Sequence, residues 1–325
     1  MHTAVYQLLG PAARAALLDL SIPALLGLKL DQFEGIPQDA RALLHERFGV
    51  NVLRDLRRVD LAKVPLSPGV IQALLCVLFY PKHDPGPGCA WEELFEGAPL
   101  ATYQGYAGSP FHTRFAPVFY RGRLDGSARV LVVGQDPATD ETLSGRAFVG
   151  QAGQLAQNFL AKLGITRSYV MFNTFLYGVQ SGSITTALAT DATITAYRNK
   201  LFDHAKATNP ISLVLAFGSW ANTSVNSWPG RGSLPLVHVA HPTAPSGVAA
   251  DWNSHLSAAA GAVTPDADGH VDLTPYDTTA PLPSTDIPRR DLPFGTPVWQ
   301  GTGGGTHSAR GTGAAFETQI VWTAP

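Results

Sequence analysis

VLVVGQDPATDETLSGRAFVGQAG, at residues 130–153, is the stretch on which the fold class depends. It opens with a continuous apolar run, VLVV, which is typical of a strand buried on both faces of a parallel sheet. The run ends at Gly134, where the backbone can turn sharply, and Gln135, Asp136 and Pro137 follow. A carboxylate just past a strand end lies where open α/β sheets bind ligands, although Asp136 taken alone also fits a turn or a cap.

The second half of this stretch predicts a loop followed by a helix. The segment Gly145–Gly150, GRAFVG, presents one aromatic side chain, Phe148, on a tight loop. A helical pattern then covers Ala152–Leu163, and Gly164 ends it. The stretch contains neither GxGxxG nor GxxxxGK[ST], so it gives little support to a nucleotide-cofactor site.

Apolar runs alternate with helical patterns after Ala128, which predicts an α/β fold with a parallel sheet covered by helices. The predicted strands are Arg129–Gly134, Tyr169–Phe175, Ser212–Gly218 and Leu234–Ala240. The predicted helices are Ala152–Leu163, Asp191–Thr208, Ser219–Ser227 and Asp251–Ala260.

Polar residues stand at the ends of these strands. Asn173 lies near the end of the second strand, and His241 follows the fourth. Because parallel strands end at the same edge of a sheet, we expect Asp136, Asn173 and His241 to meet there, with Phe148 on a loop above them. Singly, Asn173 fits a turn cap and His241 an ordinary strand-end histidine, but the four residues in this order favour a site. His238, on the fourth strand, is interpreted as a core residue.

Two further regions flank the predicted α/β core, which we assign to residues 101–263. Residues 1–100 predict a helical N-terminal extension packed on the core. Residues 264–325 are rich in Pro, Thr, Gly and Asp, and they predict an irregular Pro/Gly-rich C-terminal extension, either disordered or wrapped around the domain. The helical patterns of the first hundred residues cover about 4–20, 38–48 and 68–80.

Basic residues outside the strand ends leave alternatives open. Arg54, Arg57 and Arg58 fit a solvated helix face better than a DNA-backbone contact. The stretch Tyr103–Arg123 interleaves aromatic and basic residues, which suits a nucleic-acid track and, slightly better, an extended segment packed on a core. Arg231 fits a phosphate contact and a simple turn equally well.

The composition limits the class of protein. The formal net charge of −2 gives no global basic field, so any nucleic-acid binding has to be local. The two cysteines, Cys76 and Cys89, exclude a four-cysteine iron–sulfur or zinc site within one chain and argue against a disulfide-stapled secreted module. The N-terminus lacks the pattern of a signal peptide and no apolar stretch is long enough for a membrane span, so we expect a soluble, cytoplasmic protein of bacterial type.

The motifs together resemble those of the uracil-DNA glycosylase superfamily. GQDP at Gly134–Pro137 resembles the water-activating motif of the family-1 enzymes, and GRAFVGQAGQL at Gly145–Leu155 is similar to the family-4 enzymes. AHPTAPS at Ala240–Ser246 resembles the leucine loop, HPSPLS. The resemblance covers a little over a third of the chain and implies an α/β/α sandwich around a four-stranded parallel sheet.

The resemblance also implies a monofunctional glycosylase that flips uracil out of DNA and hydrolyses its N-glycosidic bond, initiating base excision repair. Asp136 would orient the water and offset positive charge on the sugar, and His241 would stabilise the uracil anion. Phe148 would stack on the base, and Asn173 would pair with its O4 and N3–H and reject cytosine. Gln135 would contribute its backbone amide. The residues expected to contact DNA are Thr243, Ala244, Pro245 and Ser246.

The sequence departs from these families at several points. Ala138 stands where the family-1 motif has the tyrosine that excludes the methyl group of thymine, so activity on thymine or on other deaminated or mismatched bases stays open. Two cysteines cannot form the family-4 iron–sulfur cluster. Ala244 and Pro245 replace the bulky leucine of the loop, so the wedge that extrudes the base is either Pro245 or part of another loop. The Lys/Arg-rich insertion of the DNA-crosslinking relatives is absent, so stable covalent capture of DNA is not expected.

We therefore expect a monomer that acts on uracil-containing DNA without a cofactor, a metal ion or a membrane. One alternative is a non-catalytic nucleic-acid-binding protein on the same fold, against which Asp136 argues because a binder needs no water-orienting carboxylate. Another is an unrelated α/β hydrolase or nucleotide-binding protein, but the chain lacks a GxSxG nucleophile elbow.

Overall fold

The structure, a computed structural model, describes residues 8–16, 27–78, 83–84, 86–180, 186–293 and 295–304. The chain separates into two compact units, Met1–Lys82 and His83–Pro325. The domain boundaries that the sequence places at residues 100 and 263 stay predictions. None of the helices within the described ranges has the length and apolar character that crossing a bilayer demands.

The first unit is helical and encloses a small apolar core of its own. Its α-helices are α1 (Pro11–Ala16), α2 (Gln38–Phe48) and α3 (Pro68–Leu78). Short 3₁₀ turns connect them, and the helix at 38–48 coincides with its prediction. Parts of the predicted segments 4–20 and 68–80 lie outside the described residues. The most deeply buried side chains of the unit are Phe33, Ile36, Leu44, Val50, Leu53, Leu56 and Leu74.

The second unit alternates strands and helices. Its strands are β1 (Arg121–Gly122), β2 (Val130–Gly134), β3 (Tyr169–Asn173), β4 (Leu213–Phe217) and β5 (Leu236–Val239). Its helices are α4 (Cys89–Glu96), α5 (Leu100–Gly105), α6 (Thr139–Ser144), α7 (Gln151–Lys162), α8 (Thr186–Ala189), α9 (Ala192–Thr208), α10 (Ser219–Asn226) and α11 (Val248–Gly261). Each of the four predicted strands appears, shortened by up to two residues at either end.

The five strands form one sheet in the order β1-β3-β2-β4-β5. Strands β2 to β5 run parallel, which confirms the predicted four-stranded parallel sheet. The sequence did not predict β1, a two-residue strand that pairs antiparallel with β3 at the edge. The chain passes from β2 to β3 on one side and returns to β4 on the other, so the order reverses between β2 and β4. Ligand sites of open α/β sheets lie at such a reversal.

Helices cover both faces of the sheet, which confirms the α/β/α sandwich. Leu131 and Val133 point to the face that carries α4, α9 and α10. Val130 and Val132 point to the opposite face, where α7 and α11 pack. All five residues of β2 are buried, as expected for a strand with both faces covered.

His238 contradicts its interpretation as a core residue, because its side chain is exposed. Strand β5 lies at the edge of the sheet and alternates between buried and open positions, with Val237 and Val239 pointing inward. Because successive side chains of a strand point to opposite faces, the histidine between two buried valines faces solvent.

The described part of the C-terminal extension packs against the α/β core. Asp291, which is fully buried, accepts hydrogen bonds from Arg121 Nη1 at 3.0 Å and from the Tyr169 hydroxyl at 2.5 Å, and it also pairs with Arg123. Asp266 accepts the backbone N–H groups of residues 166–168. The composition left open whether this extension is disordered or wraps around the domain, and its described residues pack against the domain.

Candidate active site at the carboxyl ends of the strands

A cavity of about 290 Å³ opens where the carboxyl ends of the parallel strands meet. The predicted residues Gln135, Asp136, Phe148, Asn173 and His241 all line it. The topology therefore brings together five residues that lie in four separate segments of the sequence. The full lining consists of Gly134, Gln135, Asp136, Ala138, Thr139, Asp140, Glu141, Phe148, Gly150, Gln151, Ala152, Asn173, Phe217, His241 and Thr243.

Asp136 is half-buried and fixed at both carboxylate oxygens. The Val179 N–H donates to Oδ2 at 2.8 Å, and Gln135 Nε2 donates to Oδ1 at 3.1 Å. Burial raises the pKa of Asp136 above its usual value, while these two hydrogen bonds and the charge of His112 oppose the rise. The carboxylate thus caps a neighbouring loop and also faces the cavity, so the two sequence interpretations of this residue are compatible. The predicted use of the Gln135 backbone amide stays a prediction.

Phe148 is held in a backbone conformation that is unusual for a residue with a side chain. Its φ is 57°, in the left-handed region. A Cβ on Gly153 would lie 1.8 Å from the Phe148 carbonyl oxygen, so α7 closes tightly on this residue only because position 153 is glycine. The Phe148 ring packs edge-on against Phe217, with 6.2 Å between ring centroids. Strained backbone of this kind clusters at ligand sites.

Glu141, which the sequence analysis missed, ties the two ends of this loop together. Its buried carboxylate accepts the N–H groups of Val149 and Gly150 at 2.7 Å each, and that of Ala138 at 3.0 Å. It therefore links the start of α6 to the residues that follow Phe148. A glutamate three residues after a helix N-cap was the available signal. Its contacts to residues 149 and 150 carry no signal of their own in the sequence.

Asn173 ends β3 directly beside Gly134, with which it is paired in the sheet. Its side chain is 7% exposed, and its Nδ2 is buried without a hydrogen-bond partner among the described residues. A buried amide group without a partner is costly in free energy, about 1–3 kcal/mol. A Cβ on Gly134 would lie 2.6 Å from Asn173 Oδ1 and 2.4 Å from Phe148 Cζ. Glycine at 134 therefore lets the ring and the amide share one wall of the cavity.

His241 follows β5 and is held by contacts to its Nδ1. The backbone N–H of Thr243 donates to Nδ1 at 3.3 Å, and the Thr243 hydroxyl lies 3.1 Å from it. A backbone N–H can only donate, so Nδ1 accepts and the proton of the neutral ring is on Nε2. Burial also lowers the pKa of His241, which favours this neutral form. The preceding residue, Ala240, is anchored to α11 through Asp251, whose Oδ2 accepts its N–H at 2.6 Å.

The residues predicted to contact DNA are only partly gathered at the cavity. Thr243 lines it, while Ala244 is half-buried and Pro245 and Ser246 are exposed beyond it. Arg231 donates to the carbonyl of Leu234 at 2.8 Å, as a turn residue would. In the described ranges, no three His, Cys, Asp or Glu side chains come together in the way that a metal ion requires.

Residues 121–260 match the family model of the uracil DNA glycosylase superfamily. This match supports membership of the uracil-DNA glycosylase superfamily for the domain that holds the cavity. Membership supports, in general terms, a DNA glycosylase: a hydrolase that acts on damaged bases in DNA repair. It does not specify the base. No curated protein matches this chain. The matched range contains all the strands of the sheet and every residue of the cavity lining, and it ends before the C-terminal extension.

Proposed function

We propose that this protein removes uracil from DNA by hydrolysing the bond between N1 of the base and C1′ of the deoxyribose. One observation carries the proposal: an aromatic ring, a buried amide, a carboxylate and a neutral histidine line the same cavity of about 290 Å³. A base in a duplex reaches such a pocket only by flipping out of the stack. The volume lies near the lower end of small-molecule pockets, roughly 300–1,000 Å³, and suits a single base.

Recognition of the base is assigned to Phe148 and Asn173. The ring offers a face for stacking, worth about 1–3 kcal/mol per base. The unpartnered Nδ2 of Asn173 donates to O4 of uracil, and Oδ1 accepts from N3–H. Cytosine presents the reverse pattern at these two atoms, and the mismatch leaves a buried polar group unpaired at a cost of about 1–3 kcal/mol.

The chemical step is assigned to His241 and Asp136. As the C1′–N1 bond breaks, its electron pair leaves with uracil and positive charge develops on the sugar, as in other glycoside hydrolyses. The Nε2–H of His241 donates to O2 and stabilises the anion. Asp136 stabilises the positive sugar and orients a water, whose oxygen bonds to C1′ while one of its protons passes to the carboxylate. The product DNA carries an abasic site, which begins base excision repair.

A second candidate substrate follows from Ala138. This exposed alanine lies in the cavity lining at the position where the family-1 motif has tyrosine. The methyl side chain leaves room beside C5 of the base, so we include thymine opposite guanine and other deaminated bases among the substrates to be tested. Release of thymine by the wild type, abolished in Ala138→Tyr, would assign this specificity to position 138.

The proposal is tested by base release from oligonucleotides that carry one uracil. Wild type and Asp136→Asn are incubated with single-stranded and double-stranded substrates, and abasic sites are detected by alkaline cleavage. Parallel substrates carry thymine opposite guanine, hypoxanthine or xanthine. We expect uracil release by the wild type and a drop of about 10²-fold or more in Asp136→Asn, as for other general acid–base groups. Asp277→Asn, which changes an exposed carboxylate in the C-terminal extension, is the control with expected wild-type rates.

The outcome distinguishes the glycosylase from a binding protein on the same fold. If the wild type binds uracil-containing DNA and yet releases no base from any substrate, the proposed function is wrong and the non-catalytic alternative gains support. If the wild type is active and Asp136→Asn keeps its rate, the reaction is right and the role given to Asp136 is wrong.

A further inference from the structure

The loop that follows His241 offers no large apolar side chain that could replace a flipped base. Ala244 and Pro245 stand at the positions where the resembling motif has a bulky leucine. Proteins that unstack a DNA duplex commonly insert an apolar side chain, such as Phe, Leu, Ile, Met or Pro, between base steps. Pro245 is exposed and of a type that can act as a wedge, but it offers less apolar surface than a leucine, so larger exposed apolar side chains elsewhere are also candidates.

Phe115 is the exposed aromatic side chain of the second unit, within the part of the chain that the structure describes. It is 59% exposed, whereas its aromatic neighbours along the chain, Phe111 and Tyr120, are buried. Leu143 is similarly exposed at 60%, and it lies on α6, whose first residues line the cavity. Single exposed apolar residues are ordinary, so exposure alone does not select between them.

The position of the Phe115 turn does distinguish it. The Phe115 N–H donates to the carbonyl of His112 at 3.2 Å, and the His112 N–H donates to the carbonyl of Gly178 at 2.9 Å. The next residue, Val179, donates to Asp136. The turn of residues 112–115 thus rests on the segment that fixes the water-orienting carboxylate, where the sugar of a flipped nucleotide has to lie.

The distribution of charged side chains also favours the turn of residues 112–115 as the place where a DNA strand binds. His112 and Arg114 are exposed on this turn, and Arg114 forms no ion pair with the described residues. On the α6 side, Arg146 is neutralised by Asp84, with 2.5 Å between Nε and Oδ2. Arginine side chains commonly contact DNA phosphates, and Arg114 is the stronger candidate because the charge of Arg146 is already paired with a carboxylate.

We propose that Phe115 is the wedge that enters the duplex as the nucleotide flips out, and that Arg114 contacts a flanking phosphate. This inference rests on the proposed function. A wedge is needed to extrude a stacked base and to hold the gap open, while a base in a single strand reaches the cavity without it. Phe115 therefore affects duplex substrates selectively, and Arg114 affects every DNA substrate.

The test compares uracil release from single-stranded and double-stranded oligonucleotides by the wild type, Phe115→Ala, Phe115→Leu and Leu143→Ala. We expect Phe115→Ala to lower kcat/KM on duplex by about 5- to 150-fold, the factor that corresponds to loss of one stacking contact. On the single strand it stays within about 2-fold of wild type, as for other exposed substitutions. Phe115→Leu restores part of the duplex rate, and Leu143→Ala, the matched control, keeps it.

A second readout does not depend on turnover. In an Asp136→Asn background, 2-aminopurine placed beside the uracil brightens when that uracil unstacks, and Phe115→Ala is expected to remove this signal on duplex. Arg114→Gln is expected to weaken binding on both substrates and to reduce the slope of log K against log salt by about 1.

Four results would overturn the inference. In the first two, the wild type is active and Phe115→Ala either keeps the duplex rate or loses activity equally on the single strand and the duplex. Phe115 is then not the wedge, while the proposed glycosylase function is retained. If Leu143→Ala instead loses the duplex rate, the wedge lies on α6. If the wild type releases no uracil even from a single strand, the proposed function fails and the wedge fails with it.

Discussion

Gly134→Ala tests whether the ring of Phe148 and the amide of Asn173 form one base-binding wall. The new Cβ would lie 2.4 Å from Phe148 Cζ and 2.6 Å from Asn173 Oδ1. Carbon atoms in contact prefer about 3.5–4.0 Å, so the ring has to withdraw by about 1 Å. It has little freedom to do so, because Gly153 packs against the Phe148 carbonyl and Phe217 packs against the ring.

The expected loss combines two interactions. Stacking on the base contributes about 1–3 kcal/mol, and the amide pairing contributes a further 1–3 kcal/mol or so. Loss of both would lower kcat/KM by about 30-fold to about 10⁴-fold. The fold should survive, since Gly134 lies outside the positive-φ region and alanine fits its backbone. Overpacking at a buried site costs about 1–3 kcal/mol of stability, which a thermal melt would reveal.

The assay is uracil release from a single-stranded oligonucleotide, because this substrate removes the extrusion step from the comparison. Gly261→Ala is the matched control: a Cβ there meets nothing within 4 Å, at the end of α11. We expect the control to keep both the wild-type rate and the wild-type melting temperature. A folded Gly134→Ala protein with a rate within about 3-fold of wild type, less than the loss of one such contact, would refute the arrangement of the base between Phe148 and Asn173.

Three further outcomes follow from the same contacts. Asn173→Asp is expected to reduce uracil release by about 10-fold or more, because an ionised side chain cannot donate to O4; competition assays with cytosine-containing DNA check whether the preference for uracil over cytosine falls as well. The acid limb of kcat/KM against pH should lie above pH 3.8, since burial raises the pKa of Asp136 and the ionised form is the active one; the profile of Asp136→Asn should lack it. Asp291→Ala leaves Arg121 buried without its carboxylate, at a cost of about 3–5 kcal/mol. Calorimetry should show a melting temperature lower by about 6–20 °C at 2–4 °C per kcal/mol.

The parallel strands were predictable because each is a short apolar run buried on both faces. The structure shortens the prediction for β3 at its end and for β5 at both ends, and it changes neither the count nor the direction of the parallel strands. Strand β1 was not predictable in this way. Arg121 carries a charge, which argues against a buried strand, and Gly122 has a positive φ of 100°. The position is stable because Asp291, 170 residues later in the chain, neutralises Arg121, and local sequence cannot reveal such a partner.

Some residues of the candidate site could likewise be predicted from the sequence, and others could not. Asp136, Asn173 and His241 were found because each lies at the end of a strand or within two residues of it, where position along the chain fixes position at the sheet edge. Glu141 was missed because its role lies in its contacts with backbone N–H groups eight and nine residues away. The tautomer of His241 likewise depends on the turn geometry of Thr243, which composition does not encode.

The C-terminal extension belongs to the site although it lies outside the matched family range and looks irregular by composition. Ile287 packs with Val149, next to Phe148, and Gln300 Nε2 donates to the carbonyl of Asp140 at 2.7 Å. These contacts brace the loop that carries Phe148, which Glu141 also holds through its hydrogen bonds to Val149 and Gly150. A positive φ at Phe148 costs free energy that the loop alone has few contacts to offset. The extension therefore supplies packing that helps to keep the ring against the cavity, and the structural unit that holds the cavity extends beyond residues 121–260.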